Sequence, residues 1–496
     1  MSELILAIDQ GTTGSTALIM DTAGNTLGRS NVEFPQHYPK PGWVEHDPDE
    51  IWQSVVESVG RALAAAKVQP GRVAAIGITN QRETTVLWDR ADGRPVHRAI
   101  VWQCRRTADI CASIKAAAHE QTVREVTGLV VDPYFSGTKL TWLLENVPGA
   151  RKRAEAGELA FGTIDSYLVY RLTGGKAHVT DVSNASRTML MSLEKLAWDD
   201  GMCSMLGVPK AILPAIAGSA EQVGVTCGVP GLPDGIPITG IAGDQQSALF
   251  GQTCFDVGDV KCTYGTGAFV LMNTGSRVVR SRFGLLSTVG WKVGDQVVYA
   301  LEGSAFIAGA AVQWLRDGLK VIRSAPEVEA LARQVESSEG VLVVPALAGL
   351  GAPYWDPEAR GLIYGLTRGS TVAHVARATL EGIAHEVADL IHAMSEDLGA
   401  QVRRVRVDGG AAANDLLMQM QADLAGITVQ RPRELETTAR GAAMLAAVGR
   451  GLFSSPQQAS GMSATERTFE VAAPAQQRDS QRRAWADAVR RARGAC

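Results

Sequence analysis

One short unit occurs twice in this chain, and the repeat constrains the fold more than any other feature of the sequence. A strand-like run at residues 4–8 leads into a Gly/Thr loop at residues 9–14, then into a second apolar run and a turn. The same order begins again at residue 260, about 255 residues later. Because solenoid repeats recur at roughly 20–50 residues, this spacing indicates two related domains and not a repeat array.

The boundary between the two predicted domains is expected near residues 243–258, which divides the chain into residues 1–250 and 251–496. Each half also carries β-branched runs and Ala/Leu-rich runs, which predict two mixed α/β domains. The strand-like runs lie at residues 73–79, 341–344 and 402–407, and the helical runs lie at residues 51–67 and 372–394. A basic stretch at residues 475–493 predicts one more helix, exposed to solvent around Trp485.

Composition and charge exclude several classes of protein. The chain has 496 residues, 46% of them apolar, and a net charge of −4 without a long basic run, so nucleic acid is not an expected partner. The N-terminus lacks the basic and apolar regions of a signal peptide, and no apolar run approaches the roughly 20 residues that span a bilayer. We therefore expect a cytoplasmic protein.

The cysteines and histidines argue against disulfide bonds and zinc. The cysteines are scattered without a Cys-x-x-Cys pair, and the eight histidines form no pair with metal-ligand spacing. Free thiols in a reducing cytosol are the expected state of all seven cysteines: Cys104, Cys111, Cys203, Cys227, Cys254, Cys262 and Cys496.

The two Gly/Thr loops have the composition of phosphate-binding loops. Glycine allows a tight turn and a close approach to a ligand, and successive N–H groups in such a turn attract anions. In the first loop, Thr12 and Thr13 add hydroxyl donors, and Asp9 at the strand end could hold Mg²⁺ through water. With Thr266 of the second loop, they would clamp a nucleoside triphosphate from both sides. A plain hairpin turn is the alternative for each loop.

A third glycine loop, Gly409-Gly410, follows a strand-like run and precedes Asn414. Phosphates bind well at such strand-to-helix turns, and Asn414 could contact the adenine or ribose of a nucleotide. A turn that caps a helix is the alternative. The Gly-x-x-x-x-Gly-Lys-[Ser/Thr] motif is absent from the sequence, which excludes a P-loop NTPase.

Three further segments combine carboxylates, arginine and aromatic residues. Asp244 lies at the end of an apolar run. Its carboxylate could accept a proton from an attacking hydroxyl, or it could cap a helix. Arg82 and Glu83 together suit the hydroxyls of a polyol, which both donate and accept, or they could form a surface ion pair. The aromatic residues could wall the acceptor pocket or belong to the core: Trp102, Tyr134 and Phe269.

These motifs together resemble the FGGY family of carbohydrate kinases. Residues 134–146 resemble the first family signature, and residues 361–381 resemble the second. Shorter stretches resemble, in particular, the family members that act on glycerol: residues 41–48, 77–84, 101–107, 184–189 and 349–356. The similarity extends from about residue 4 to about residue 455, with the motifs in the same order.

The resemblance implies two ribonuclease-H-like (actin-like ATPase) domains with ATP in the cleft between them. It implies transfer of the γ-phosphoryl group of MgATP to glycerol, and a homo-oligomer, either a dimer or a tetramer. Asp244 would be the base, and Asp9 would help to place Mg²⁺. The glycerol site would comprise Arg82, Glu83, Trp102, Tyr134, Asp244, Gln245 and Phe269. The nucleotide site would comprise Thr12, Thr13, Gly14, Thr16, Thr266, Gly309, Gln313, Gly410 and Asn414.

Two positions depart from the family pattern. Thr16 stands where many members that act on glycerol have an arginine that reaches a nucleotide phosphate, which predicts a lower nucleotide affinity. The loop at residues 231–235 contains Asp234 and lacks the Gly-Gly-Thr-Arg of members inhibited by fructose 1,6-bisphosphate, which predicts no such inhibition. It also lacks the histidine that is phosphorylated in some relatives.

Two other functions remain open at this point. A related kinase for another polyol or a ketose would share the phosphate loops, although Arg82, Glu83 and Trp102 favour glycerol. An actin-like or Hsp70-like protein would also share these loops, but it would hydrolyse ATP without an acceptor and would not require Arg82, Glu83 and Asp244.

Overall fold

The computed structural model describes residues 3–494, which form two large β-sheets with helices packed around them. The strands of the first half are β1 Leu4–Gln10, β2 Gly14–Asp21, β3 Thr26–Glu33, β4 Glu45–His46, β5 Val73–Asn80, β6 Val86–Asp89, β7 Ala99–Ile100, β8 Leu159–Gly162, β9 Val179–Asp181, β10 Met191–Ser192, β11 Ala197–Trp198, β12 Ala215–Ala217, β13 Gly224–Val225 and β14 Pro237–Gly243. Its helices are α1 Pro48–Ala66, α2 Ala108–Ala116, α3 Glu120–Thr127, α4 Ser136–Asn146, α5 Ala150–Glu155, α6 Ile164–Leu172, α7 Val182–Ala185, α8 Asp200–Met205 and α9 Asp244–Gly251.

The second half follows the same plan. Its strands are β15 Val260–Tyr264, β16 Ala268–Gly275, β17 Leu286–Val293, β18 Gln296–Ala305, β19 Leu342–Val344, β20 Leu362–Tyr364, β21 Arg404–Asp408, β22 Thr428–Pro432 and β23 Thr465–Phe469. Its helices are α10 Gly309–Asp317, α11 Glu327–Ala332, α12 Val372–Leu398, α13 Asp415–Ala425, α14 Thr437–Gly449, α15 Pro456–Ala459 and α16 Ala475–Ala492. Short 3₁₀ turns lie at Pro70–Arg72, Lys210–Ile212, Gly410–Ala413 and Ser460–Met462.

The repeated unit forms equivalent hairpins in the two large sheets. The strand orders are β13-β14-β5-β1-β2-β3 in the first sheet and β17-β18-β16-β15-β21-β22-β23 in the second. In the first sheet, β1 pairs antiparallel with β2 and parallel with β5, and β14 pairs parallel with β5. In the second, β15 pairs antiparallel with β16 and parallel with β21, and β22 pairs parallel with β21. The expectation of two related α/β folds is therefore confirmed.

The central strands are buried along nearly their whole length because helices or loops cover both faces of each sheet. All but one of the seven residues of β1 are buried, and β15 has only Thr263 partly exposed. The predicted runs locate these strands correctly. Several runs stop short of the true ends, since polar residues such as Asp9 and Gln10 still belong to β1.

Two helices join the halves of the molecule. Helix α14 comes from the second half of the chain, but it packs against α9 and against β14, β5 and β1 of the first sheet. Gly441 of α14 lies so close to the carbonyl oxygen of Ser247 in α9 that a Cβ atom there could not be accommodated. A single cluster of buried residues therefore continues from the first sheet into the second, with Ile5, Ala443 and Leu271 among its members.

The C-terminal helix corrects one prediction. Helix α16 has the predicted extent, but Trp485 is buried and not exposed. Its ring stacks on His385 of α12 at 4.9 Å, and its Nε1 donates to Asp389 Oδ2 at 2.7 Å. The basic residues of α16 suggested a fully solvated helix, but one apolar face is enough to dock it.

The described part of the chain agrees with two other expectations. Six cysteines are free, whereas Cys496 lies outside the described residues. No helix among residues 3–494 is both long and apolar enough to cross a membrane.

Candidate active site

The parallel strands of the first sheet bring three predicted residues to one edge. Strands β1, β5 and β14 run in the same direction, so their carboxyl ends lie side by side. Asp9 lies near the end of β1, Arg82 follows β5, and Asp244 follows β14 as the first residue of α9. Ligands of open α/β sheets bind at the carboxyl ends of the strands, so this edge is a candidate site.

A cavity of about 540 Å³ opens at this edge between the two halves. Three of the residues predicted for the acceptor site line it: Trp102, Tyr134 and Phe269. The rings of Trp102 and Tyr134 meet edge to face at 5.6 Å. The remaining lining residues are Gln103, Arg105, Val130, Asp132, Phe135, Leu286, Glu302, Gly303, Ser304, Phe306, Leu350, Trp355 and Pro357. Aromatic walls of this kind bury the carbon atoms of a ligand and exclude water.

Arg82 and Glu83 are buried, so the alternative of a surface ion pair is wrong. Their side chains are 2% and 1% exposed. The Nε atom of Arg82 lies 3.1 Å from Oδ1 of Asp244, and Nη2 donates to the Tyr134 hydroxyl at 3.3 Å. Glu83 has a φ of 59°, in the left-handed region that side chains rarely adopt, and such strain is concentrated at functional sites.

Two residues that the sequence did not single out complete the charge network. Glu302 of β18 accepts from both terminal nitrogens of Arg82, with Nη2 at 3.1 Å. Arg187 donates to Glu83 Oε1 at 2.7 Å and to Glu302 Oε1 at 2.8 Å. All four side chains are buried, and each charge faces an opposite charge. A glutamate inside the apolar run of β18 is the sequence signal that could have identified Glu302.

The network also sets the charge state of its members. Burial alone would raise the pKa of Glu302, but Arg187 and Arg82 together lower it to about 2, so this residue is a fixed negative charge. Burial raises the pKa of Glu83, against the opposing effect of the two arginines. The guanidinium of Arg82 is therefore held in one orientation, with Nε directed at Asp244.

Asp244 is suitably placed to act on a bound hydroxyl. Gly243, and not Asp244, occupies the N-cap of α9, so the capping alternative is wrong. The Asp244 side chain is 32% exposed, and its Oδ1 accepts the backbone N–H of Gln245 at 2.7 Å. The other carboxylate oxygen has no hydrogen-bond partner among residues 3–494.

Lys261 of β15 is a further buried charge that the sequence did not single out. Its ammonium group donates to Gln245 Oε1 and, at 2.9 Å, to Thr263 Oγ1. Burial lowers the pKa of Lys261, whereas Asp408 and Asp244 act in the opposite direction. The predicted acceptor residue Gln245 is thus held by a side chain from the second half.

A second cavity, of about 330 Å³, lies at the corresponding edge of the second sheet. It is lined by five of the residues predicted for the nucleotide: Thr266, Gly309, Gln313, Gly410 and Asn414. The N–H of Gly309 donates to the carbonyl of Gly265 at 2.9 Å, which packs the start of α10 against the second loop. A Cβ atom on Gly309 would lie 2.6 Å from that oxygen, so only glycine fits.

Models of two family domains match nearly all of this chain. The model for the N-terminal domain of the FGGY family of carbohydrate kinases matches residues 4–251, and the model for its C-terminal domain matches residues 260–450. The chain belongs to the FGGY family of carbohydrate kinases.

Relatives of this FGGY kinase agree with that assignment. A glycerol kinase from Myxococcus xanthus is 58% identical over 493 residues, 99% of each chain, and one from Bdellovibrio bacteriovorus is 54% identical over 99% of each chain. Among solved structures, Plasmodium falciparum glycerol kinase with ADP superposes with a TM-score of 0.94 at 35% identity, covering 99% of this chain and 98% of that one. A gluconate kinase from Lactobacillus acidophilus has the same fold, with a TM-score of 0.88 at 22% identity.

The first family signature has a clear structural role in this FGGY kinase. Lys139 is fully buried in α4, and its ammonium donates to the carbonyls of Pro133 at 2.7 Å, Phe135 at 3.1 Å and Tyr134. These bonds hold the turn before α4 and thereby place the Tyr134 ring in the cavity. The backbone thus supplies the acceptors that a buried ammonium requires.

The first loop of the kinase lines neither cavity. Four residues in this loop or beside it were nevertheless predicted to bind nucleotide. Thr12 accepts a hydrogen bond from Trp102 Nε1 at 3.0 Å, and Thr13 is exposed. Gly14 and Thr16 lie in β2. The Thr16 hydroxyl is buried and accepts a hydrogen bond from Asn31 Nδ2 at 2.9 Å, so its partner lies within the protein.

Asn414 also has a structural partner. Its Oδ1 accepts the N–H of Leu417 at 2.9 Å and caps α13, as the alternative interpretation of this motif expected. The same residue lines the second cavity, so capping places it there and leaves its amide nitrogen for a ligand.

Asp9 has the environment of a cation ligand. Burial raises its pKa to about 8, and the negative charges of Asp244 and Glu436 act in the same direction. A divalent cation would offset this accumulation of negative charge. Among residues 3–494, no group of three or more His, Cys, Asp or Glu could hold a metal by itself. A magnesium ion near Asp9 would need waters and phosphate oxygens as its other ligands, which Mg²⁺ commonly takes.

Proposed function

We propose that this FGGY kinase transfers the γ-phosphoryl group of ATP to a primary hydroxyl of glycerol, giving sn-glycerol 3-phosphate and ADP. The observation that carries the proposal is the contact of 3.1 Å between Arg82 and Asp244 beside the aromatic cavity. The glycerol kinases that are 54–58% identical over the full length support the choice of acceptor.

The acceptor would bind with its carbon atoms against the aromatic walls and its hydroxyls on the charge network. Arg82 donates and Glu83 accepts, which together match the two roles of a hydroxyl group. Asp244 accepts the proton of the attacking hydroxyl, because its side chain is partly exposed and its second oxygen has no partner among residues 3–494. Gln245, held by Lys261, completes this site.

Most of the rate gain would come from positioning and charge, since phosphoryl transfer leaves little covalent chemistry for the protein. Thr266, Gly309, Gln313, Gly410 and Asn414 would bind ATP in the second cavity. The first loop, with Thr12, Thr13, Gly14 and Thr16, would approach the phosphates when the two halves close. Mg²⁺ held near Asp9 would neutralise charge on the phosphates.

The direct test is a coupled assay of ADP release with glycerol, erythritol, xylulose and gluconate as acceptors. Glycerol should have the highest kcat/KM. A higher kcat/KM for one of the other acceptors would replace glycerol by that substrate, and ATP hydrolysis of equal rate without an acceptor would favour an actin-like or Hsp70-like protein instead.

We infer that the chain divides near residue 250, acts in the cytoplasm and assembles as a dimer or tetramer. Sedimentation of the purified protein tests the assembly. Asp234 accepts the N–H of Gly228 at 2.7 Å in an exposed loop, where its charge would repel a bisphosphate. Fructose 1,6-bisphosphate should therefore leave the initial rate unchanged, and strong inhibition would refute this inference.

A further inference from the structure

A third cavity lies apart from the two that form the candidate active site. It has a volume of about 220 Å³ and is enclosed by the C-terminal end of α9, the strands β21 and β22, and the segment before β23. Its polar lining includes Thr253, Arg406, Gln430, Ser460, Ser463 and Thr465, and no aspartate or glutamate of the described residues 3–494 lines it. The proposed phosphoryl transfer does not use these residues.

Within the described part of the chain, Arg406 is the only charged residue that lines this cavity, and no carboxylate balances its charge. One terminal nitrogen, Nη1, donates to the carbonyl of Gln252. The Nε atom is buried without a hydrogen-bond partner, and among residues 3–494 no carboxylate forms an ion pair with this arginine. A half-buried guanidinium without an anion is unfavourable, because it has lost hydration without gaining a counter-charge.

The hydroxyl groups around Arg406 are also available. Within residues 3–494, the side chains of Thr253, Ser463 and Thr465 make no hydrogen bond. Hydroxyls can turn their hydrogen atoms toward an acceptor at no geometric cost. The cavity therefore combines a guanidinium that has no anionic partner with three hydroxyls that make no hydrogen bond within residues 3–494.

We propose that this cavity binds a small tetrahedral oxyanion, namely a phosphate group, either free or carried by a small phosphate ester. Arginine is suited to this role because its planar donors match two phosphate oxygens at once. The hydroxyls of Ser463 and Thr465 bind the remaining oxygens. A volume of 220 Å³ leaves space for a few carbon atoms beyond the phosphate itself.

The bound oxyanion connects two elements of the active site. Thr253 follows α9, whose first residue is Asp244, and Arg406 lies in β21, which leads into Gly409 and Gly410. A ligand that bridges Thr253 and Arg406 therefore joins the end of α9 opposite Asp244 to the strand that leads into the proposed nucleotide site.

The test is a calorimetric titration of inorganic phosphate into the full chain, with glycerol and a non-hydrolysable ATP analogue present to fill the active site. The wild type should bind one phosphate per chain more than Arg406→Gln does. The matched control is Arg94→Gln, which removes an exposed arginine that pairs only with Asp92, and which should bind like the wild type. A parallel titration with sn-glycerol 3-phosphate distinguishes a free phosphate from an ester.

A second variant protects the test against a folding defect in Arg406→Gln. Ser463→Ala with Thr465→Val removes two hydroxyls near the surface, leaves Arg406 in place and should weaken phosphate binding by at least tenfold. Equal binding by the wild type and both cavity variants, or no binding by the wild type once the active site is filled, would overturn the proposal. The comparison does not require the proposed acceptor to be correct, because it uses the difference between variants.

Discussion

The two hairpin loops each connect a pair of antiparallel strands, but different groups hold them in place. In the first, the last paired residues are Gln10 and Ser15, so four residues form the connection. In the second loop the last paired residues are Tyr264 and Ala268, so three residues form the connection. Both loops follow the strand at the centre of their sheet, so each lies at an edge where ligands bind.

Side chains support the first loop, whereas backbone groups support the second. Trp102 donates to Thr12, and the amides of Gln10 and Gln81 donate to the carbonyl of Gly11 at 2.7 and 3.3 Å. The second loop instead receives the N–H groups at the start of α10, including that of Ala308 to the Thr266 carbonyl at 2.8 Å.

This difference is consistent with the two ligands that we propose, the acceptor at the first edge and the nucleotide at the second. The edge near the first loop carries three ionisable side chains, Arg82, Glu83 and Asp244, which would suit the small polar acceptor of the proposed reaction. The edge near the second loop carries small residues and backbone N–H groups, which leave room for a nucleotide. The following changes test that division, beginning with the largest expected effect.

Asp244→Asn should remove the proton acceptor of the first edge. We expect kcat to fall roughly 10²–10⁴-fold, the usual contribution of a general base, because asparagine cannot take the proton. The coupled ADP assay measures kcat, and the thermal midpoint should stay that of the wild type. A nearly normal kcat would exclude Asp244 as the base.

Glu302→Gln should destabilise the protein, because it removes the buried carboxylate that pairs with both Arg82 and Arg187. The free energy of unfolding in urea should fall by about 3–5 kcal/mol. The matched control is Glu194→Gln, which breaks an exposed pair with Arg280 and should cost less than about 1 kcal/mol. Equal effects of the two variants would mean that the buried network contributes no more than a surface pair.

Gly309→Ala should act on the second edge alone. The added Cβ atom must displace the second loop, at a cost of about 1–3 kcal/mol. The KM for ATP should therefore rise roughly tenfold, while the KM for glycerol should stay constant. Gly60→Ala is the control, since nothing lies within 4 Å of the added atom. A rise of both KM values together would show that the two edges do not act separately.

His46→Gln tests the side-chain support of the first loop through pH. Burial, with a smaller effect of His37, lowers the pKa of His46 from 6.5 to about 3, and its Nδ1 faces the amide of Gln81 at 3.3 Å. The unfolded chain therefore binds a proton below pH 6.5 that the folded chain does not, and stability falls as the pH decreases.

At about pH 5.5 this difference amounts to about 1.4 kcal/mol, which His46→Gln should abolish. Urea unfolding at neutral pH and at about pH 5.5 measures it, with the exposed His119→Gln as the control. If both variants lose stability between the two pH values as the wild type does, His46 is not responsible for the loss.

Much of the fold followed from local patterns, but the site did so only in part. The runs around β1, β5 and β15 predicted strands that the structure contains. The third glycine loop lines the second cavity, and its role in nucleotide binding stays a prediction. Glu302 and Arg187 were not predicted as site residues, because each is recognised only by its ion pair with a residue far away in the sequence. Trp485 was wrongly placed in solvent, since its partner His385 lies 100 positions earlier in the chain.

The sequence by itself determined the duplication, the order of the phosphate loops and the family, because these depend on local turns and on residues adjacent in the chain. Only the tertiary structure decided which charges meet. Arg82, Arg187 and Glu302 come from segments more than 100 residues apart, yet they share one buried network. A buried charge is tolerable only with its opposite beside it, and that pairing is a property of three-dimensional packing.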